Sequence, residues 1–194
     1  HQAVARGEPD GSTILLGSIG PLSIAQHLQK LGYDPQKDLA PLTMGVMFPN
    51  VLVVPASLGV KTVGEFAALA KKQPGKLTYA STGNGSASHL AGELFAQMAG
   101  VDMVHIPYKG GAPALTDLLA GRVDAYFSTL STAQAHIDAG KLVPLATTGL
   151  VRPPFLDKLP TMAESGYAGF NAVNWYAFVA PGKTAMPLLV RWNQ

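Results

Sequence analysis

The segment Lys76–Ser128 decides the fold and reads KLTYASTGNGSASHLAGELFAQMAGVDMVHIPYKGGAPALTDLLAGRVDAYFS. Its β-prone runs cover residues 77–81, 103–107 and 123–127. A helical pattern of apolar residues separates each run from the next, and the second of these helices is expected to begin at Pro113. Gly100 and Gly121 follow these helical patterns, as expected just past a helix end. Strands that alternate with single helices pair in parallel through right-handed crossovers, so the segment predicts an α/β fold with a parallel sheet.

The turn between the first strand and the first helix carries ligand-binding chemistry. Residues 82–88 read TGNGSAS. Glycines let the backbone approach a ligand, and the first amides of a helix attract anions because they have no partner within the helix. The turn lacks the Lys-Ser or Lys-Thr of a P-loop, and G-x-G-x-x-S differs from the dinucleotide fingerprint. The pattern favours a small anion such as a carboxylate. The alternative is an ordinary turn with Ser86 or Ser88 as helix N-cap.

A second turn of small residues follows the predicted strand at residues 12–17. It reads GSIG and leads into a helical pattern that begins at Pro21 and runs to about Leu31. Open α/β sheets place ligands where strand ends open into helices. Ser18 is therefore a second candidate ligand contact, and a plain N-cap is its alternative.

The alternation of strands and helices breaks at two places. Two extended runs follow each other at residues 39–47 and 50–55, and another extended run covers residues 171–180. We interpret these runs as crossings between two lobes, with residues 1–44 and 171–194 in lobe I and residues 45–170 in lobe II.

Local signals predict further elements outside the central segment. Thr62 with Glu65, and Thr161 with Glu164, have capping-box spacing and predict two helix starts. A helix is expected over residues 133–139. Pro144 lies within a predicted strand at residues 141–148, which indicates an edge or bulged strand.

Composition excludes several classes of protein. Charged residues make up 13% of the chain and hydrophobic residues 47%, which is typical of a folded protein. The net charge of +2 and the lack of a Lys/Arg run give no electrostatic case for nucleic-acid binding. No apolar run approaches the roughly 20 residues of a membrane span, so direct membrane insertion is not expected. The absence of cysteine excludes disulfides and thiolate metal sites.

Four motifs of this sequence resemble one receptor family. They are GNGSASHLAGELF (83–95), AGVDMVHIPYKGGAPALTDLLAGRVDAYF (99–127), HIDAGKLVPLA (136–146) and LPTMAESG (159–166). Their order and spacing resemble the solute-binding receptors of tripartite tricarboxylate transporters, the Bug (TctC-like) family. The resemblance extends from residue 3 to residue 193.

The resemblance implies a two-lobed, periplasmic-binding-protein-like (type II) α/β fold with a ligand cleft between the lobes. It implies a periplasmic protein that is not an enzyme and needs no cofactor. Such a receptor captures a di- or tricarboxylate, or a related organic acid, and delivers it to the membrane components of the transporter.

Candidate site residues follow from the family's motifs. They are Ser18, Ile19, Thr82, Asn84, Gly85, Ser86, Ser88, His89, Tyr108 and Ser128. The family holds its acid largely through backbone amides, hydroxyls and bridging waters, and such neutral donors suit a receptor that must release its cargo. Tyr108 either closes one side of the cleft or packs at a strand end. Ser128 stands where many relatives have an acidic residue, which predicts altered selectivity for ligands bearing an amino group.

The chain is expected to be an excerpt of a longer protein. It starts without Met in a helix-like run at Gln2–Arg6 and stops within another at Met186–Asn193. The family's pattern places another strand and a glycine-rich, ligand-contacting loop before these residues. An excerpt that lacks part of one cleft wall exposes a sheet edge or apolar surface, which predicts self-association or a partner fragment.

Three alternatives stay open at this point. A serine hydrolase would use Ser86 or Ser88 with His89, although G-N-G-S-A-S is not the G-x-S-x-G of a nucleophile elbow. A metal site would use His89 and Glu93, four residues apart on a helix, but His27, His105 and His136 are scattered along the sequence. A ligand-sensing domain of a regulator would share the lobed fold.

Overall fold

The chain divides into two compact units. The computed structural model describes all residues, 1–194. Unit 1 comprises His1–Phe48 and Asn174–Gln194, and unit 2 comprises Pro49–Val173. The unit boundaries fall a few residues later in the chain than the lobe boundaries predicted after residue 44 and before residue 171. The assignment of these units as ligand-binding lobes stays a prediction.

Unit 1 is built on a three-stranded sheet with the order β1-β8-β2. Its strands are β1 (Leu15–Ser18), β2 (Leu39–Pro49) and β8 (Val173–Pro181). Its helices are α1 (Gln2–Ala5), α2 (Ala25–Leu28) and α7 (Met186–Trp192). β1 runs antiparallel to β8, and Ser18 lies opposite Tyr176.

Two elements of unit 1 are shorter than predicted. β1 begins at Leu15 rather than residue 12, because the Ser12 amide donates to Asp10 Oδ1 at 2.8 Å and holds a turn there. The predicted helix from Pro21 to about Leu31 is a π-helical turn, Gly20–Ile24, followed by the single-turn helix α2. α2 ends at Leu28 because the next residue, Gln29, is extended.

Unit 2 contains a five-stranded sheet with the order β5-β4-β6-β3-β7. Its strands are β3 (Val51–Pro55), β4 (Thr78–Ser81), β5 (Val104–Pro107), β6 (Ala125–Ser128) and β7 (Leu142–Thr147). β4 pairs in parallel with both β5 and β6, which confirms the pairing predicted for the central segment. β3 runs antiparallel to β6 and β7. β7 is an edge strand with a register shift beside Pro144, as its proline predicted.

Both faces of this sheet are covered by apolar clusters and by helices. The helices are α3 (Val63–Lys72), α4 (Ala87–Ala99), α5 (Gly111–Leu119) and α6 (Leu130–Asp138). Leu52 packs with Phe66 and Phe95 in one cluster, whereas Val53 packs with Leu118 in the other. Neighbouring strand residues point to opposite faces, so a strand buried on both sides is apolar at every position. All five residues of β3 are buried.

Three helix starts in unit 2 differ from the sequence predictions. α5 begins at Gly111, two residues before Pro113, because a proline fits in a helix's first turn where its missing N–H has no partner. α6 begins at Leu130 rather than residue 133, with Thr129 as N-cap. Thr161 and Glu164 exchange both capping-box hydrogen bonds, at 2.7 and 3.1 Å, but only a turn forms.

The other capping box was predicted correctly. Thr62 caps α3, and its Oγ1 accepts from the Glu65 amide at 3.1 Å while Glu65 accepts from the Thr62 amide. No helix in the structure combines the length and the apolar character needed to cross a bilayer.

Candidate ligand-binding site

The candidate site lies at the carboxyl edge of the unit 2 sheet. β4, β5 and β6 are parallel and end at the same edge, at Ser81, Pro107 and Ser128. The chain leaves β4 there through residues 82–86 and enters α4. Ser86 is the N-cap, and its Oγ accepts from the His89 amide at 3.3 Å, so of the two predicted caps Ser86 is the one used.

The serine hydroxyls of this turn bond to the turn itself. Ser86 Oγ donates to the Gly83 carbonyl at 2.7 Å and lies 3.0 Å from Ser88 Oγ. Ser88 Oγ accepts from the Thr82 amide at 3.0 Å. Ser88 is buried, with 4% of its surface exposed. A hydroxyl has one hydrogen to donate, so the structure uses Ser86 to hold the turn rather than as a free donor.

Two glycines give the turn its path. Gly83 has φ +129° and Gly85 has φ +74°, a range that side-chain-bearing residues rarely adopt. Gly85 is buried, and its amide donates to His89 Nδ1 at 3.1 Å. Asn84, between the two glycines, is exposed.

Three main-chain amides at the start of α4 have no hydrogen-bond partner: those of Asn84, Ala87 and Ser88. They stand at the N-terminus of a 13-residue helix, where the helix dipole favours negative charge. The Asn84 side chain, which also makes no bond within the chain, adds a neutral donor. This arrangement has the chemistry to bind a carboxylate mainly through backbone amides.

A stack of rings lies beside the turn. The His89 and His105 ring centroids are 4.0 Å apart, and those of Tyr79 and His105 are 5.0 Å apart. His105 Nε2 lies 2.6 Å from Ser81 Oγ, which in turn accepts from the Gly83 amide at 3.1 Å. The Tyr79 hydroxyl donates to Glu93. Sequence reasoning treated His105 as an isolated residue and did not consider Ser81.

Only the register of β4 and β5 could have predicted that His105 lies near Ser81. That register sets Tyr79 opposite His105, and Ser81 is two residues further along the same face of β4. Burial lowers the pKa of His105 to about 4, and the neighbouring His89 acts in the same direction. Burial and the hydrogen bond to Glu93 raise the pKa of Tyr79. Near neutral pH His105 is therefore uncharged and the Tyr79 hydroxyl keeps its proton.

Tyr108 and Ser128 bond within the chain. Tyr108 packs against the apolar cluster around Val53, and its hydroxyl donates to Asp117 Oδ2 at 2.8 Å. Burial, with this bond, raises the pKa of Tyr108 to about 12. Ser128 is fully buried and donates to the Thr129 carbonyl at 3.0 Å. These contacts are those of packing at a strand end, and the cleft-closing role predicted for Tyr108 stays a prediction.

Two predicted site residues lie in the other unit. Ser18 ends β1, and Ile19 precedes the π-helical turn of unit 1. Both are partly buried.

The geometry gives little support to the serine hydrolase or to the metal site considered above. Neither Ser86 Oγ nor Ser88 Oγ bonds to the His89 ring, whose Nδ1 is used by Gly85. Glu93 Oε1 lies 3.7 Å from His89 Nε2 and accepts from Tyr79. The chain contains no group of three or more His, Asp or Glu side chains placed to hold a metal ion.

Comparison with known proteins identifies the family of this chain. Residues 1–193 match the family described as "Tripartite tricarboxylate transporter family receptor" (TctC). The protein BugT of Bordetella pertussis is 36% identical over 194 residues, which are 99% of this chain and 60% of BugT. A protein from the tcbD-tcbE intergenic region of Pseudomonas sp. strain P51 is also 36% identical, over 98% of this chain and 57% of the relative. The chain thus spans less than two thirds of the length of these relatives.

Solved structures show the same fold. R. palustris Rpa4515 with adipate matches with a TM-score of 0.92 and 35% identity, over 99% of this chain and 64% of that one. The periplasmic binding protein BugD matches with a TM-score of 0.87 and 38% identity, over 98% of this chain and 64% of that one. MatC of Rhodopseudomonas palustris with bound malate matches with a TM-score of 0.88 and 30% identity, over 99% of this chain and 66% of that one. The predicted α/β fold class, that of periplasmic binding proteins, is confirmed.

Proposed function

The chain belongs to the receptor family of tripartite tricarboxylate transporters, and we propose that it is a periplasmic solute-binding protein that captures a small organic acid. Two of the similar solved structures contain adipate and malate, both dicarboxylates. A dicarboxylate or a related acid is therefore the proposed ligand. In this proposal the protein catalyses no reaction and passes its cargo to the membrane components of a tripartite tricarboxylate transporter.

One observation carries the proposal for unit 2: the unpartnered amides of Asn84, Ala87 and Ser88 at the start of α4. We assign the ligand carboxylate to these amides and to the Asn84 side chain. Thr82, exposed at the rim of the turn, is a further candidate contact. Gly85, Ser86 and the Ser88 hydroxyl act indirectly in this assignment, because they hold the turn. For Ser18 and Ile19 the family resemblance remains the support for a ligand role.

The donors assigned to the ligand carboxylate are neutral groups and not charged side chains. Lys109, the nearest lysine along the chain after β5, is exposed, and the turn itself contains no cation. Burying a lone charge is costly, whereas amide bonds to a carboxylate can be exchanged for bonds to water when the ligand leaves. This suits a protein that must release its cargo.

A proline substitution tests the role of the main-chain amides directly. Ala87 is the first residue of α4, where proline is tolerated, and Ser86 already has the extended backbone (φ −72°, ψ 161°) that a following proline requires. Ala87→Pro therefore removes one amide hydrogen at a position compatible with the helix. A hydrogen bond to a charged group contributes about 1.5 to 3 kcal/mol, so adipate or malate affinity should fall about 10- to 100-fold.

The matched control is Ala87→Gly, which keeps the amide. Calorimetry with adipate, malate and the neutral diamide of adipic acid measures affinity, and thermal unfolding verifies that each variant is folded. Binding of an acid by the wild type and Ala87→Gly, with loss in Ala87→Pro, supports the proposal. Unchanged affinity in a folded Ala87→Pro, chemical conversion of the acid, or no binding of any acid contradicts it.

A further inference from the structure

We propose that His89 and His105 are positioning residues for the anion-binding turn, and that protonation of His89 weakens carboxylate binding. The inference rests on the proposed function of the turn. It assigns these imidazoles to the shape of the site and not to ligand contact, which changes the role predicted for His89 from its motif.

The bond between Gly85 and His89 defines the state of the ring. The Gly85 amide donates to His89 Nδ1 at 3.1 Å, so Nδ1 carries no proton. The single ring proton is then on Nε2, which lies 3.7 Å from Glu93 Oε1. His89 is therefore neutral in this structure of the turn.

Protonation of His89 removes that bond. With a second ring proton on Nδ1, the ring N–H faces the N–H of Gly85, and the Gly85 amide loses its acceptor. Gly85 is buried, and a buried amide without a partner is costly. The turn is then expected to rearrange at Gly85, whose neighbours are Asn84, with its unpartnered amide, and the N-cap Ser86.

The groups that face His89 allow this proton to bind. The His89 side chain is 18% exposed, so protons reach it from solvent, and Glu93 offers a carboxylate to the charged ring. The Tyr79 hydroxyl from β4 donates to the same carboxylate. His105 from β5 stacks on His89 at 4.0 Å. Its pKa is lowered to about 4, so His105 stays neutral above about pH 5.

His105 holds the other end of the turn. Its Nε2 bonds to Ser81 Oγ at 2.6 Å, and Ser81 Oγ accepts from the Gly83 amide at 3.1 Å. Ser81 is fully buried, so this contact serves the interior of the turn and not the ligand. The two histidines thus orient Gly83 and Gly85, the residues on either side of Asn84.

Variants of both histidines separate positioning from general stability. In His89→Asn the side-chain oxygen can accept from the Gly85 amide but does not titrate, whereas His89→Ala removes the acceptor. In His105→Gln the amide end reaches Ser81 as Nε2 does. Adipate affinity is measured by calorimetry at about pH 8 and about pH 5.5, which bracket the ordinary histidine titration at about 6.5.

Between the higher and the lower pH, the affinity of the wild type for adipate should fall about tenfold more than that of His89→Asn. Protonation of adipate itself affects both proteins equally, so this comparison removes it. His89→Ala should bind about tenfold more weakly than the wild type at the higher pH, and His89→Asn should bind within about threefold of it. His105→Ala, which removes the bond to Ser81, should bind adipate more weakly than His105→Gln, which keeps an amide group there. Equal affinity of these two variants would contradict the role of His105. A wild type and His89→Asn with the same pH dependence, or His89→Ala with wild-type affinity, would overturn the proposal.

A measurement without ligand separates this inference from the proposed function. In NMR of the ¹⁵N-labelled protein, His89 should lack a proton on Nδ1 at about pH 8, and the Gly85 amide signal should move with the His89 titration. A proton on Nδ1 at that pH, or a Gly85 signal independent of the titration, contradicts the positioning role. If no acid binds, the proposed function fails, and this titration still decides how the turn is held.

Discussion

At the residue scale, His105 shows how burial changes the chemistry of one side chain. Its ring stacks on Tyr79 and His89, and its pKa is lowered to about 4. In the unfolded chain a histidine titrates at about 6.5. As the pH falls below about 6.5, the unfolded chain gains a proton that the folded protein does not bind. The contribution of His105 to stability is therefore lost progressively between about pH 6.5 and about pH 4.

We predict that His105→Gln reduces the acid sensitivity of the fold. Between about pH 7 and pH 5 the free energy of unfolding of the wild type should fall by about 1 kcal/mol more than that of the variant. This value is smaller than the pKa shift alone would give, because solvent screens a partly exposed ring. Urea unfolding at both pH values measures this difference. Parallel losses of stability in the two proteins would show that His105 is free to take up a proton in the folded state.

At the element scale, the packing of α4 on β4 depends on one small residue. A Cβ at Gly92 would collide with the ring of Tyr79. That ring is fully buried and its hydroxyl is held by Glu93, so it has no space to move aside. Gly92 therefore sets the close approach of helix and strand beside the candidate site.

We predict opposite effects for alanine at two helical glycines. Gly92→Ala should destabilise the protein by about 1 to 3 kcal/mol through overpacking. Gly64→Ala, in α3, should stabilise it by about 0.5 kcal/mol, because Gly64 is exposed and the nearest atom to the new Cβ is Thr62 Oγ1, at 4.0 Å. Urea denaturation of both variants gives the comparison, and a stabilised Gly92→Ala would contradict this account of the packing.

At the scale of the whole molecule, the apolar core is unevenly distributed. Both apolar clusters lie in unit 2. The buried hydrophobic residues of unit 1 are Leu39, Val179 and Ala180. Local stability follows buried apolar contact, so the two units should differ in their resistance to opening.

We predict that native-state hydrogen exchange separates the units. Amides of β3 and β6, at the centre of the five-stranded sheet, should exchange slowest. Amides in the ladder between β1 and β8 should exchange faster under the same conditions. Mass spectrometry of exchanged peptides distinguishes these regions, and equal protection of both sheets would show that the units open together.

Sequence by itself determined the features that depend on neighbouring residues. The alternation of strands and helices in the central segment and its parallel pairing follow from local patterns and short crossovers. The capping box at Thr62 and the edge strand with Pro144 follow from local patterns as well. The motifs also identified the family. The starts of α5 and α6 were wrong by two or three residues, because neighbouring residues permit several first turns.

Tertiary structure alone decided how the turn of the candidate site is held. Ser81 and His105 are 24 residues apart in the chain and meet through the register of β4 and β5. Thr161 and Glu164 form their capping bonds without a helix. Which hydroxyls of the turn are used internally, and which amides stay unpartnered, depends on distances of a few tenths of an ångström. Such distances are set by packing between segments that are far apart in sequence.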